Sequence, residues 1–531
     1  MYLSIAQKTS KTFNTTLIAA VSVTVAMSSL VSAQGAAELN EVVDPAAPDL
    51  PAEVEVKDKL LDDLQNTVAG LKKPQRWKNV IKVPMNVTTG SKDARFYTRQ
   101  GFGLMQSQWD IEAHRSFVYA LDKDSECIGA YIGLLMMSSQ NHNPSHGMHL
   151  DLLAKVDELK AKKVDGKYYY SLQERLYADL FIAIVEADKE GRLDAMDKLV
   201  EESPMDFQAL IMKNVLLPLR AGGNTQEKKS LYISRMMERY PYSPMLWMYW
   251  LALHQYENDP EYVKDKLLPV AKKLVKWAPD MPGWHMRYGE VLSKSGNYKD
   301  ADKSYDKAIE LYLEWGKVNK IPLSANAGVW QARIFKSVSY YRGGEFDKAI
   351  QIATALQKDI PELQYLSEVR GIYLWEVQTL PARLYLARNQ KGDLVKARDS
   401  LPNRKFSDEV QNISAASMYY TGLRQYIAFR MAVNDGKTEE AKDLKLLLDE
   451  TNLSFQKTAK NVSTFVDKNY FYRGKIAISI YVNYTNAELE RLDNHLEGQE
   501  TFLKYARNLL YKHASLSMLP RHVIEDFPVK K

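Results

Sequence analysis

The stretch "QNHNPSHGMHLDLL" holds the side chains of this chain that are best suited to binding a metal ion. His142, His146, His149 and Asp151 fall within it, and imidazole and carboxylate groups hold zinc or nickel when a loop brings them together. Ser145, however, has the residue type of a helix N-cap, so the alternative is a polar loop that leads into a helix. We favour the loop, predict no metal and no cofactor, and keep His142, His146 and His149 as the metal candidates.

A second group of candidate residues is aromatic and lies between residues 245 and 288. Tyr and Trp bury a large area and still form hydrogen bonds, so they suit surfaces that bind peptides or sugars. The alternative is that these rings belong to the core, where they fill the space between helices. A helix with aromatic rings on both faces would bury one face in the core and leave the other exposed to bind a partner. The candidate partner-binding residues are Tyr249, Trp250, His254, Trp284 and Tyr288.

Sequence motifs of the common enzyme classes are missing. The chain has no GxSxG, HExxH or GxxxxGK[ST] sequence and no GxGxxG after a strand; these would indicate a hydrolase, a metalloprotease, a phosphate-binding loop or a dinucleotide site. Its one cysteine, Cys127, excludes an intramolecular disulfide and a cysteine-based metal cluster. We therefore predict that the protein is not an enzyme.

The elements that must position these residues are helices. Apolar residues recur at i, i+3, i+4 and i+7 over most of residues 97–515, which is the pattern of amphipathic helices. We recognise no Asn-Gly or Asp-Gly turn between alternating residues, so the sequence predicts no β-hairpin. The chain is therefore expected to be mainly α-helical.

One helical pattern, "GNYKDADKSYDKAIELY" at residues 296–312, alternates large aromatic residues with alanine along one stripe. Two antiparallel helices pack closely only when small residues on one helix admit large residues of the other. We expect Gly289 and Ala301 to be the points of close contact, with Tyr298 and Tyr305 as the large residues.

The pattern recurs along the chain. Similar spacings of small and large residues occur at Ala113, Phe117 and Ala120, at Phe346, Ala349 and Ala353, and at Gly436, Ala441 and Leu448. A single helical hairpin cannot bury its whole apolar face, so such units stack on their neighbours. The predicted fold is an all-α solenoid of tetratricopeptide-like helix-turn-helix repeats, some of them degenerate, with about ten to twelve units of 34–40 residues.

Residues 112–144 resemble the opening unit of a group of exported bacterial tetratricopeptide repeat proteins that are largely uncharacterised. Residues 171–181 and 242–286 resemble their following helix and next unit. The residues that carry the resemblance of the opening unit are Arg115-Ser116-Phe117, Leu121-Asp122, Cys127 and Ala130-Tyr131-x-Gly133-Leu134. The resemblance implies a helical repeat fold and an exported protein, and it implies little about activity.

The N-terminal residues have the form of a secretory signal peptide. Lys8 and Lys11 precede an apolar run from residue 17 to residue 27, and the small residues Val31 and Ala33 follow. We expect cleavage after Ala33, which leaves no membrane-spanning segment and places the protein in the periplasm or outside the cell. An uncleaved membrane anchor is the alternative.

The predicted organisation has five parts. They are a signal peptide at 1–33, a flexible linker rich in Ala, Pro and acids at 34–60, an N-terminal cap or extension at 61–95, the repeat domain at 96–515 and a C-terminal tail at 516–531. Of 531 residues, 45% are apolar and 26% charged, with a net charge of +5. This composition is globular and carries no basic patch of the kind that binds nucleic acid.

The leading interpretation is a non-enzymatic exported scaffold that mediates protein–protein interaction in the cell envelope. Its partner would be a protein or peptide that lies in the concave groove of the solenoid. One alternative is a module that binds a glycan or small ligand within a polysaccharide-utilisation system. Another is a metal-dependent enzyme that uses the His142–His149 cluster.

Overall fold

A computed structural model describes most of the chain after the N-terminal region. The described residues are 53–80, 85–107, 109–138, 148–186, 188–216, 226–255, 257, 259–323, 326–358, 376–402, 411–461 and 465–512. The predicted signal peptide, the linker up to residue 52, the C-terminal tail, His142 and His146 lie outside these residues.

The described chain is built almost entirely from helices. In chain order they are α1 (Glu53–Asn66), α2 (Lys92–Gln106), α3 (Asp110–Lys123), α4 (Ile128–Ser138), α5 (His149–Ala161), α6 (Leu172–Val185), α7 (Lys189–Glu202), α8 (Phe207–Ile211), α9 (Gln226–Arg239), α10 (Pro244–Leu253), α11 (Pro260–Tyr262), α12 (Leu268–Trp277), α13 (Pro282–Lys294), α14 (Tyr298–Asn319), α15 (Ala327–Arg342), α16 (Phe346–Lys358), α17 (Leu380–Arg388), α18 (Asp393–Ser400), α19 (Gln411–Asn434), α20 (Thr438–Asn461), α21 (Phe465–Leu492) and α22 (Leu496–Lys512). A 3-10 turn covers Lys78–Val80, and π-helical turns at Met212–Leu216 and Val263–Leu267 extend α8 and join α11 to α12.

The helices form hairpins that stack in sequence order. From α2/α3 to α21/α22, each helix packs against its partner in the hairpin, and the second helix of each hairpin packs against the first helix of the next. The described residues contain ten such hairpins. This arrangement is an all-α solenoid of tetratricopeptide-like repeats, as the sequence predicted.

Four hairpins in the second half of the array share the same spacing between a turn glycine and a buried alanine. Each turn contains a glycine with positive φ, at Gly296, Gly344, Gly392 and Gly436, where a side chain would be strained. The fifth residue after each glycine is a fully buried alanine, at Ala301, Ala349, Ala397 and Ala441. The glycine reverses the chain, and the alanine then lets the returning helix approach closely.

The close contacts predicted around Gly289 are confirmed. A Cβ atom on Gly289 would lie about 3.0 Å from the Tyr305 ring, so only glycine lets the two helices of the α13/α14 hairpin approach so closely. Ala301 and Tyr305 are fully buried. Tyr298 packs on Gly343 in the turn of the following hairpin and so links one repeat to the next.

Two features differ from the prediction. Residues Lys163–Val164 and Lys167–Tyr168 form a short antiparallel β-hairpin, and its turn is Asp165-Gly166 with both residues at positive φ. This is the Asp-Gly turn chemistry that the prediction of no β-hairpin overlooked. Helix α1 also begins inside residues 34–60, so the end of the predicted flexible linker is helical; Leu60 and Leu64 lie one turn apart and are both buried.

The described residues form two main hydrophobic cores, one in each half of the array. One runs from Leu60 to Val329 and the other from Trp330 to Ala506. We call α1–α14 the N-terminal unit and α15–α22 the C-terminal unit; the division falls within α15. Among the described residues, no helix combines the length and apolarity that crossing a membrane requires.

Candidate functional site

The five predicted aromatic and histidine candidates do not share one surface. Tyr249, His254 and Trp284 are buried, whereas Trp250 and Tyr288 are partly buried. Burial raises the pKa of the Tyr249 hydroxyl, and the nearby Asp206 carboxylate adds to the shift. Asp206 is the N-cap of α8 in the preceding hairpin. The rings serve mainly as core residues, which was the alternative at the sequence level.

His254 forms a hydrogen-bonded link between neighbouring hairpins. Its Nδ1 lies 2.8 Å from the Trp250 carbonyl oxygen, and its Nε2 lies 2.9 Å from Oγ of Ser230 on α9. A carbonyl oxygen only accepts, so Nδ1 donates and Nε2 accepts from the serine hydroxyl. Burial lowers the pKa of His254, which agrees with this neutral form. The Trp250 ring contacts the His254 ring at a tilted angle, with centroids 4.1 Å apart.

The predicted metal loop is described only in part. His149 is the first residue of α5, and Asp151 lies in the same first turn. His142 and His146 lie outside the described residues. Within the part of the chain that is described, no three His, Cys, Asp or Glu side chains are placed to hold a metal ion.

Residues just before α2 form hydrogen bonds with later helices of the N-terminal unit. The Asn79 side chain donates to the Trp277 carbonyl oxygen, and Trp277 Nε1 donates back to the Asn79 carbonyl oxygen at 2.9 Å. Further along, the Thr88 backbone N–H donates to the Glu174 carboxylate at 2.7 Å. Asn79 therefore contacts the end of α12, and Thr88 contacts α6.

A buried polar cluster ties the first hairpin to the sixth. Glu112 on α3 accepts from Trp315 Nε1 of α14 at 3.0 Å and pairs with Arg115 at 2.5 Å. Arg115 also donates to Asn319 Oδ1 at 2.8 Å, and Trp77 Nε1 donates to Glu112 at 3.3 Å. Burial raises the pKa of Glu112 although Arg115 opposes the shift. We call these five residues the closing cluster, because they join positions 203 residues apart in the chain.

A second charged cluster lies where the two units meet. On α13, Glu290 pairs with Arg287, and the Lys294 ammonium lies 3.0 Å from the other Glu290 oxygen. Burial alone would raise the pKa of Glu290, but Arg287, Lys294 and Arg342 at the end of α15 lower it to about 2. We call Arg287, Glu290, Lys294 and Arg342 the junction cluster. The arrangement concentrates positive charge around a single carboxylate.

The C-terminal unit exposes large apolar side chains on the second helices of its last two hairpins. On α20, Leu446 is 58% exposed and Leu453 49%; on α22, Leu496 is 72% exposed and Tyr505 57%. Exposed apolar side chains of this size are typical of surfaces that bind partners when they cluster. An exposed leucine and a core leucine look alike in a helical pattern, so these residues could not be identified from the sequence.

Comparison with known proteins adds little. The chain matches no protein-family model, and no curated protein is similar to it. Among solved structures, a monomeric mutant of IFIT1 with Gppp-AAAA aligns with 84% of this chain and 99% of its own, at 10% identity and a TM-score of 0.32. The architecture of this protein therefore rests on its own helix packing.

Proposed function

We propose that this protein is a non-catalytic scaffold, exported by a bacterium into its cell envelope, that binds a protein partner. Export is supported by Lys8, Lys11 and the apolar run that ends before Val31 and Ala33, which together have the form of a cleavable signal peptide. The scaffold role is supported by the stacked helical hairpins, because rigid arrays of this kind present extended surfaces.

The exposed apolar side chains of α20 and α22 carry the proposal of a protein partner. Leu446, Leu453 and Leu496 are aliphatic, and such side chains gain free energy by burial against other apolar side chains. Sugar rings are more often bound on flat aromatic faces. Among the described exposed side chains of α20 and α22 that are large and apolar, only Tyr505 is aromatic. The surface therefore favours a protein over a glycan.

The site of binding shifts from the one that the sequence suggested. In the N-terminal unit, Asn79 and Thr88 already contact α12 and α6, and the proposed docking surface is the exposed side of α20 and α22 in the C-terminal unit. The helices there are held by their neighbours before a partner arrives. A partner would then meet a preorganised surface, which lowers the entropy lost on binding.

Export can be tested with fusions to alkaline phosphatase, an enzyme that is active only after export. Residues 1–60 should direct the reporter out of the cytoplasm, whereas residues 34–60 should not, and the mature protein should begin at Gln34. A reporter that stays inactive with residues 1–60 would contradict export and leave the interaction proposal standing.

Partner binding can be tested by photocrosslinking in intact cells. A crosslinking amino acid at Leu496, which is 72% exposed, should trap a discrete protein. The matched control is Leu150 on α5, which is 67% exposed but lies in the N-terminal unit. Equal products at both positions, or a carbohydrate product at Leu496, would contradict the proposal.

A further inference from the structure

The link between α5 and α6 is built differently from the helical array around it. The antiparallel pairs Lys163–Tyr168 and Val164–Lys167 form the two-stranded β-hairpin, and the Tyr169 N–H extends it by donating to the Lys162 carbonyl oxygen at 3.0 Å. Every residue from 163 to 169 is exposed. Both faces of the hairpin are therefore open to solvent.

The base of the hairpin is fixed to the loop between α3 and α4. Tyr170 is buried, and its hydroxyl donates to the Glu126 carbonyl oxygen at 2.5 Å. The Lys162 ammonium, at the other end of the hairpin, pairs with the Glu126 carboxylate at 2.6 Å. One residue thus holds both ends of the hairpin, so the surface that it presents is preorganised for binding.

Each face of the hairpin combines a tyrosine ring with a lysine. Residues that lie opposite each other on two antiparallel strands share a face, so Lys163 and Tyr168 lie on one face and Lys162 and Tyr169 on the other. Lys163 Nζ lies 4.8 Å from the centre of the Tyr168 ring, and Lys162 Nζ lies 5.0 Å from the centre of the Tyr169 ring.

Four large apolar or aromatic side chains of this short segment remain in water. They are between 39% and 49% exposed and comprise Val164, Tyr168, Tyr169 and Leu172. Exposed groups of this kind mark interaction sites when they cluster. Tyrosine is also enriched where membranes meet water, because its ring is apolar and its hydroxyl polar.

The same segment carries uncompensated positive charge. Lys162 is paired with a carboxylate, but in the part of the chain that the structure describes, Lys163, Lys167 and Arg175 form no ion pair. Among residues 162–175, all of which are described, Asp165 in the turn is the only exposed carboxylate. An excess of basic side chains attracts an anionic surface.

We propose that this β-hairpin is a peripheral membrane anchor that binds the headgroup region of an anionic phospholipid bilayer. The residues that would contact lipid are Lys163, Val164, Lys167, Tyr168, Tyr169, Leu172 and Arg175. The apolar groups enter the headgroup region, while the long basic side chains keep their charges at the phosphate groups. Such an anchor would hold the scaffold beside a membrane, and it does not depend on the proposed protein partner.

The two open faces favour a lipid surface over an acidic protein or a glycan. A fluid bilayer can surround a protruding hairpin and contact both of its faces, whereas a rigid protein partner covers one. The Arg175 guanidinium lies 3.8 Å from the centre of the Tyr168 ring. It covers one side of that ring, which is then closed to a sugar.

The test sediments the purified mature chain with vesicles of phosphatidylglycerol and phosphatidylethanolamine, or of phosphatidylcholine alone. We expect salt-sensitive binding to the anionic vesicles and little to the others. The double variant Lys163→Gln/Lys167→Gln should weaken this binding about 25-fold, or about fivefold for each basic residue near an anionic membrane. The matched control is Lys272→Gln/Lys276→Gln, which changes two exposed lysines of α12 and should bind as the wild type does.

A fluorescent label shows whether the hairpin itself enters the lipid. Cys127 is fully buried, so in folded Val164→Cys an environment-sensitive dye attaches to the new thiol. Its fluorescence should rise with anionic vesicles. The control is Leu150→Cys, at the opposite end of α5 and 67% exposed, where the fluorescence should not change.

Poly-L-glutamate in place of vesicles tests for an acidic protein as the ligand. Binding to poly-L-glutamate as tight as to anionic vesicles, without a vesicle response of the dye at position 164, would overturn the proposal. So would a wild type that does not sediment with anionic vesicles, or equal sedimentation of both double variants. Vesicle binding that is lost with the hairpin lysines and kept with those of α12 would support it.

Discussion

The two units of this protein use the same hairpins but hold them together differently. In the C-terminal unit the main contacts run between neighbouring hairpins. In the N-terminal unit the closing cluster joins α3 to α14, and Asn79 exchanges hydrogen bonds with Trp277 across 198 residues of chain. When only neighbouring hairpins are in contact, each hairpin is stabilised by its neighbours. The N-terminal unit also depends on a few contacts between hairpins far apart in the chain.

The largest effect is expected from Arg115→Met. It leaves the Glu112 carboxylate buried without its counter-charge, which destabilises a protein by about 3–5 kcal/mol. The loss should be confined to the N-terminal unit. Cys127 reports on this unit, because it is fully buried and burial raises its pKa to about 11. In urea, its thiol should become reactive at lower denaturant concentration than in the wild type.

The control for this variant lies in the other unit. Arg388→Met removes the partner of the buried Asp393 and should destabilise the C-terminal unit by a similar mechanism. If the two units are held independently, Cys127 should stay protected in Arg388→Met. Equal exposure of the thiol in both variants would show that the whole array unfolds as one body.

The next largest effect is expected from a glycine-to-alanine substitution, which can be made in both units and compared. A Cβ on Gly103 of α2 would overlap the backbone carbonyl of Val80, which ends the 3-10 turn Lys78–Val80. A Cβ on Gly422 of α19 would meet the ends of side chains, with Ile478 overlapping and Leu448 in ordinary contact. Gly103→Ala should therefore lower the free energy of unfolding by about 3 kcal/mol, and Gly422→Ala by less than about 1 kcal/mol. Urea titration of both variants would test this, and similar losses would contradict it.

The free energy of unfolding should depend on pH through Glu290, which lies where the two units meet. The pKa of Glu290 is about 2 in the folded protein against an ordinary value of 4.5, so its charged form stabilises the fold above pH 4.5. This contribution is lost as the pH falls toward 2. The stability difference between wild type and Glu290→Gln should therefore shrink by about 2 kcal/mol between pH 6 and pH 3. Urea titrations at both pH values measure it, and a constant difference would show that the charge is not the cause.

The smallest effect on stability is expected at the proposed docking surface. Leu496→Glu changes an exposed residue and should alter the free energy of unfolding by no more than about 0.5 kcal/mol. It should nevertheless abolish partner crosslinking from a crosslinking amino acid placed at Leu446, which is 58% exposed on α20. Leu150→Glu in the N-terminal unit should change neither property. A large stability loss in Leu496→Glu would indicate that this leucine has a structural role.

Some of the turns and clusters that the structure shows could also have been predicted from the sequence. Gly392 and Ala397 repeat the turn glycine and buried alanine of Gly344 and Ala349, and the Asp165-Gly166 turn has the residue types of a tight β-hairpin. The spacing of Arg287, Glu290 and Lys294 on one helix was also visible. The contribution of Arg342 was not, because it depends on how two hairpins stack.

The sequence by itself determined the helical hairpins and their stacking. A glycine that reverses the chain and an alanine that admits a neighbouring ring act over a few residues, so their pattern predicts the local packing of Gly289 against Tyr305. Only the tertiary structure decided that Trp315 meets Glu112 and that Tyr249 and Trp284 lie in the core. These outcomes depend on residues far apart in the chain, and no local pattern records which distant side chains will share one interior.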